Sequence, residues 1–171
     1  MTLSHLTPRK LALAGFFVCI AMIGFALYLQ YFVNLEPCPL CMLQRICYTL
    51  LAVIFLAAAL HGPGKTGVQI YASLGIVTAA VGLGLATRHV WLQWYPPKES
   101  ACTADLFFQL QRFPVLSVLQ KALRATGDCA VVDWTFLGLS LAQWSWLGFL
   151  ALLVYLGYLF RSATARRVAA H

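Results

Sequence analysis

Four long runs of apolar residues, at about 11–31, 43–60, 68–90 and 144–160, constrain this chain more than any other feature. A helix crossing the hydrocarbon of a bilayer needs about 20 such residues, because no water is available there to satisfy the backbone. The first run, Leu11 to Tyr31, has no charge and follows Thr7-Pro8-Arg9-Lys10. A cleaved signal peptide would have an apolar core of about 7–15 residues and then a small-residue cleavage site. This run is longer and ends in Tyr28-Leu29-Gln30-Tyr31-Phe32, so a retained helix is expected. The second run stops at His61-Gly62-Pro63-Gly64-Lys65, a tight turn that sends the third back. Ser73, Gly75, Ala79, Gly82 and Ala86 lie at helical spacing in the third, either admitting a neighbouring backbone or reflecting the composition of a lipid-facing helix. The fourth ends at Arg161, and a start as early as Phe136-Leu137-Gly138-Leu139 is left open. The expectation is an all-α membrane protein: residues 1–171 form one membrane domain, a four-transmembrane-helix bundle with both termini on one side.

Composition agrees. Of 171 residues 61% are hydrophobic and 10% charged, against about 25% charged in soluble domains. The net charge of +7, from 12 basic and 5 acidic residues, raises nucleic-acid binding as a reading, but its distribution points elsewhere. Arg9, Lys10, Lys65, Arg161, Arg166 and Arg167 share one end of the bundle with no acid among them. By the positive-inside rule that end is cytoplasmic. All five acids (Glu36, Glu99, Asp105, Asp128, Asp133) fall at the other end, against six bases. The five Trp, at 91, 94, 134, 144 and 146, also lie near that outer boundary, where such residues anchor. The outer loops are then about 32–42 and 92–140, and within the second, 113–124 has the pattern of a short amphipathic helix, lying on the membrane surface or on the bundle.

This topology puts four of the six Cys outside: Cys38 and Cys41 in the first outer loop, Cys102 and Cys129 in the second. Cys19 and Cys47 fall within helices, where a free Cys behaves as a small hydrophobe. Cys38-Pro39-Leu40-Cys41 is a C-x-x-C. Covalent haem attachment would need His next, and Met42 stands there. A structural zinc site needs four ligands, and Cys102 and Cys129 do not form the second tight pair of a zinc ribbon. A plain structural disulfide stays open, although so short a loop gains little entropic stabilisation, and such rings more often cycle between oxidised and reduced states. Arg45, four residues after Cys41, lies on the same helical face, where a cation favours the reactive thiolate; snorkelling to lipid phosphates is the alternative. Arg88 and His89 reach the same rim beside Trp91, Gln93 and Trp94. Dithiol oxidation releases two electrons, and no dinucleotide, haem or iron–sulfur motif offers an acceptor. A membrane quinone fits what remains, with an Arg at the rim to stabilise negative charge on its oxygens.

Glu36-Pro37-Cys38-Pro39-Leu40-Cys41-Met42-Leu43-Gln44-Arg45, His89-Val90-Trp91-Leu92-Gln93-Trp94-Tyr95-Pro96, Gly127-Asp128-Cys129-Ala130 and Trp134-Thr135-Phe136-Leu137-Gly138-Leu139 together resemble the DsbB-type disulfide-bond-forming membrane oxidoreductases over nearly the whole chain. The resemblance implies a bacterial inner-membrane protein working in the relay that keeps the periplasm oxidising. It further implies redox-active disulfides Cys38–Cys41 and Cys102–Cys129. Cys102 would form the mixed disulfide with a DsbA-like periplasmic thiol oxidoreductase, and Cys41 would pass electrons to ubiquinone, or menaquinone in its place. Arg45, His89 and Gln93 match quinone-site residues, while Gln44 departs from members that have an acid beside the Arg. No metal, haem or flavin is expected. A quinone-linked dithiol oxidase for a dedicated partner is the nearest alternative. A non-catalytic membrane subunit with stapled loops, or a small transporter, belongs to other classes, and a transporter would carry polar residues near the midplane of several helices.

Overall fold

The computed structural model describes residues 8–35, 37–96, 132 and 134–168, which form four helices and one short hairpin. The helices are α1 (Pro8–Phe32), α2 (Pro39–His61), α3 (Lys65–Trp94) and α4 (Leu141–Val168). Each is long and apolar enough to cross a membrane. The expected four-helix membrane fold is therefore present, and the short connections after α1 and α2 make the first three helices run antiparallel.

Local chemistry sets the helix ends. Asn34 closes α1 in the left-handed conformation (φ 55°), with the Leu35 N–H donating to the Leu29 carbonyl at 3.2 Å, a C-cap that Asn tolerates well. Gly62 closes α2 at φ 54° and ψ 52°, and its N–H donates to the Ala58 carbonyl. Arg9 of α1 donates to the Leu60 carbonyl at 3.2 Å, so the start of α1 and the end of α2 share one end of the bundle. A Cβ on Gly62 would lie 2.5 Å from the Arg9 Nε, a second demand for glycine there.

Helix α3 packs on α4 and α2, and α2 on α1, whereas α1 and α4 meet only narrowly. The buried residues of α3 are Ala72, Gly75, Ala79, Gly82, Ala86, His89 and Leu92. The small-residue stripe is thus a packing seam: a Cβ on Gly75 would lie 2.8 Å from Leu156 Cδ2, and one on Gly82 would enter the Phe149 ring. Ser73, expected on the stripe, is exposed. At the centre, the rings of Tyr48 and Phe149 stack with centroids 4.1 Å apart, and the Tyr48 hydroxyl donates to the Ser145 carbonyl at 3.1 Å. Large apolar side chains such as Phe17, Val77 and Val154 are exposed around the outside, as lipid-facing residues are.

Two local expectations change. Residues 136–139 do not begin the fourth helix: β1 (Thr135–Phe136) and β2 (Leu139–Ser140) pair antiparallel around Leu137 and Gly138, both at positive φ (53° and 78°). Two-residue hairpin loops need this backbone, which glycine supplies readily. Helix α2 starts at Pro39, ahead of the expected 43, which places Cys41 in its first turn rather than in a loop over 32–42. The 113–124 segment, Cys102 and Cys129 lie outside the described residues.

Candidate functional site

The C-x-x-C motif builds its own helix start. Pro39 occupies the first helical turn, where its fixed φ and missing N–H cost nothing. Cys38 is the N-cap, its Sγ accepting from the Cys41 N–H at 3.4 Å, and its carbonyl accepts from the Met42 N–H. Leu40 between the sulfurs is fully buried against Leu92 of α3. This anchor turns both thiols toward α3, with the two Sγ atoms 3.2 Å apart. A disulfide is about 2.05 Å long, so a small rotation of either side chain closes it.

Facing the sulfurs is His89. Its Nε2 lies 3.7 Å from Cys38 Sγ and its Nδ1 4.0 Å from Cys41 Sγ, and only 3% of the residue is exposed. Gln44, also buried, places Nε2 3.2 Å from His89 Nδ1. With the amide donating there, the ring proton sits on Nε2 and faces Cys38. Gln93 takes a different position, its Oε1 accepting from the Ser140 hydroxyl at 2.7 Å, which ties the end of α3 to the hairpin.

Arg45 reaches across to α1, donating to the Ala26 carbonyl at 3.0 Å and to Gln30 Oε1. Neither acceptor carries a formal charge, and every acidic side chain of the protein lies outside the described residues. Among the described residues, no acidic side chain pairs with the guanidinium. Snorkelling is not its arrangement, since two of its N–H groups are spent on the neighbouring helix.

Two cavities meet at Cys41 and Arg45. The larger, about 230 Å³, lies in the gap between α1 and α4 and is walled by Met22, Ile23, Gln44, Tyr48, Trp134 and Phe136 among others. Its aromatic rim is continuous: Phe25 meets Trp134 edge-on at 5.6 Å, Trp134 stacks on Phe136 at 5.9 Å, and Phe136 leans on Trp144. It is smaller than the roughly 300–1,000 Å³ of pockets that enclose whole drug-sized ligands, a size for one ring rather than a long tail. The smaller cavity, about 50 Å³, has Cys38, His89, Gln93 and Gln30 on its wall as well and holds a few waters at most.

The structure thus gathers Cys38, Cys41, Arg45, His89 and Gln93 at one end of the bundle. Of these, only Cys41 and Arg45 border the larger cavity. Sequence reasoning gave Gln44 no role beyond a missing acid and did not single out Gln30. A signal for Gln44 existed in α2, where Leu40, Gln44, Cys47, Tyr48 and Leu51 recur at helical spacing and are all buried.

Comparison with known proteins bears on this arrangement. The family model for the disulfide bond formation protein DsbB matches residues 8–159. A disulfide bond formation protein B from Azoarcus sp. (strain BH72) is 48% identical over 141 residues, covering 82% of this chain and 85% of the relative. One from Hahella chejuensis is 49% identical over 146 residues, covering 85% and 88%. One from Xanthomonas euvesicatoria pv. vesicatoria is 41% identical over 165 residues, covering 95% of both chains.

Proposed function

The chain belongs to the DsbB family of disulfide bond formation proteins and is a membrane oxidoreductase that forms disulfides; from that premise we propose that it reoxidises a DsbA-like periplasmic thiol oxidoreductase at the expense of membrane quinone. In this reading the Cys102–Cys129 disulfide accepts two electrons and two protons from the partner's dithiol, through a mixed disulfide at Cys102. Cys38–Cys41 takes them by disulfide exchange, and Cys41 delivers them to ubiquinone in the bacterial inner membrane. The motif and the long loop face the periplasm, and the Arg9, Lys65 and Arg161 end faces the cytoplasm.

The observation that carries this reading is the shared wall of Cys41 and Arg45 on the 230 Å³ cavity. A quinone bound there supplies a two-electron, two-proton acceptor. Arg45, held by Gln30 and the Ala26 carbonyl, presents positive charge where negative charge grows on a quinone oxygen. His89, within 4.0 Å of both sulfurs, is placed to hold or move a thiol proton. With Gln93 it flanks the ring from the smaller cavity, and Trp134 and Phe136 offer flat apolar surface. The size of the site suits a benzoquinone head.

One assay tests this: purified protein, a reduced DsbA-like partner and a soluble ubiquinone analogue, following quinone reduction. Turnover is expected to vanish in Cys38→Ser, Cys41→Ser, Cys102→Ser and Cys129→Ser alike, and retained turnover in any one overturns the two-pair relay. Arg45→Ala is expected to raise the apparent KM for quinone by roughly 10- to 100-fold, the loss of a charged hydrogen bond of about 1.5–3 kcal/mol. A defect confined to the protein partner would move Arg45 to thiol exchange.

A further inference from the structure

Cys38, Cys41 and His89 do more than sit near one another. One ligand atom from each lies within 4.8 Å of the other two. In a tetrahedral zinc site with bonds of about 2.3 Å to sulfur and 2.0–2.1 Å to nitrogen, neighbouring sulfurs are about 3.8 Å apart and sulfur and nitrogen about 3.6 Å. Here the sulfurs are 3.2 Å apart and the nearest sulfur–nitrogen separations are 3.7 and 4.0 Å. The two sulfur–nitrogen separations go to different ring nitrogens; with one nitrogen as the ligand all three ligand atoms lie within 4.8 Å of one another, and a rotation of the ring and thiols that moves them by up to about 1 Å gives the tetrahedral spacing.

We propose that the dithiol form of this site binds one Zn²⁺ through Cys38 Sγ, Cys41 Sγ and a ring nitrogen of His89, and that the ion withdraws the protein from turnover. The ion is an inhibitory ligand, not a resident cofactor.

Three features besides distance support it. The first is charge. Coordination releases two thiol protons to water, no electrons move, and the resulting Zn²⁺ with two thiolates and a neutral imidazole carries no net charge. Two bare thiolates at the rim of an apolar bundle would be far costlier to desolvate.

The second is the outer partner. Metal-bound histidines hold the second ring nitrogen in a hydrogen bond, and Gln44 already contacts Nδ1 at 3.2 Å. Turning the amide over presents Oε1 as acceptor to an Nδ1–H, which frees the Nε2 lone pair, 3.7 Å from Cys38 Sγ, for the metal. An amide serves both tautomers of the ring.

The third is space. The small cavity bordered by Cys38, Cys41 and His89 has about 50 Å³ for the ion and a water as fourth ligand, and because Arg45 shares its wall the ion fits there only with both thiolates cancelling its charge. The site exists only when the thiols are free, since a disulfide removes both sulfur ligands. Thiolates held by zinc cannot pass their two electrons to quinone, so the Cys38–Cys41 disulfide that accepts from the second pair is not regenerated.

This inference rests on the proposed redox cycling of Cys38 and Cys41, but its test is a binding measurement. Full-length protein with Cys102→Ser and Cys129→Ser, reduced and freed of reductant, is titrated with Zn²⁺ against a chromophoric chelator. One ion per chain is expected, with no such binding after the same polypeptide has been oxidised at Cys38 and Cys41. Co²⁺ in place of zinc is expected to give sulfur-to-metal charge-transfer absorption together with tetrahedral ligand-field bands. His89→Ala is expected to weaken zinc at least 10-fold. Equal binding by reduced and oxidised protein, or unchanged affinity in His89→Ala, overturns the site. On the native chain, zinc is expected to stop quinone reduction and a chelator to restore it. Failure of the zinc-free control would count against the relay, while the titration would still decide the metal site.

Discussion

At the scale of single residues, the site shows how much of a side chain's meaning lies in contacts that sequence distance conceals. The C-x-x-C and the arginine one turn beyond it are legible because they are local: four residues fix a helix cap, and the next turn fixes a face. The Gln44–His89 contact joins residues 45 apart on two helices, and the hold of α1 on Arg45 spans 15 and 19 residues. Neither spacing repeats or matches any local pattern, so neither can be read before the helices are placed. Gln44→Leu keeps the volume and deletes the hydrogen bond to His89. It is expected to cost about 1–3 kcal/mol of stability, as for a buried polar group losing its partner, read as a lower thermal midpoint in detergent. Its disulfide-exchange rate is expected to fall more than its quinone KM rises, because Gln44 orients the ring that faces the sulfurs. A larger effect on quinone KM would make Gln44 a wall of the larger cavity before anything else.

At the scale of elements, α3 carries a lesson in periodicity. Gly75, Ala79, Gly82 and Ala86 advance by four, three and four residues, and the next step of three reaches His89. The seam that seats α3 on the bundle therefore delivers the imidazole to the sulfurs, although in the sequence His89 resembles any interfacial histidine beside tryptophans. Which small residues pack and which face lipid was not legible, because both faces of a membrane helix are apolar. Gly82 and Gly84 make the distinction measurable: a Cβ on the first enters the Phe149 ring, while one on the second meets nothing within 4 Å. Gly82→Ala is expected to destabilise by about 1–3 kcal/mol, the usual cost of overpacking, and Gly84→Ala to leave the thermal midpoint within a degree or two or raise it slightly. Equal losses in the two variants would contradict the seam. The hairpin at 135–140 escaped the sequence reading for a related reason: Phe136-Leu137-Gly138-Leu139 is as apolar as the helix that follows, and only the backbone preference of glycine marks the turn.

For the whole molecule, the spans were the most legible feature, since hydrocarbon thickness dictates their length and apolar composition follows. The charge bias is equally readable, and it makes a prediction about topology. Alkaline phosphatase fused after Trp94 is expected to be active in cells and the same reporter fused after His61 inactive; the reverse would turn the bundle over. Least legible was the gap between α1 and α4, which exists because those two helices meet only narrowly while the other neighbours pack closely. An absence of packing leaves no pattern in either helix. On the proposed function, that gap is where the oxidant is supplied. With quinone as the proposed acceptor, a site bordered by Met22, Ile23 and Phe25 within the first span would be stocked sideways from the lipid, and the concentration it senses would be a mole fraction in two dimensions. In proteoliposomes, tenfold dilution with buffer is expected to leave the rate per enzyme molecule unchanged at saturating protein partner, whereas fusion with quinone-free lipid slows it. On the proposed reaction, the bilayer would be a reservoir whose composition sets the enzyme's speed, independently of the volume of water around it.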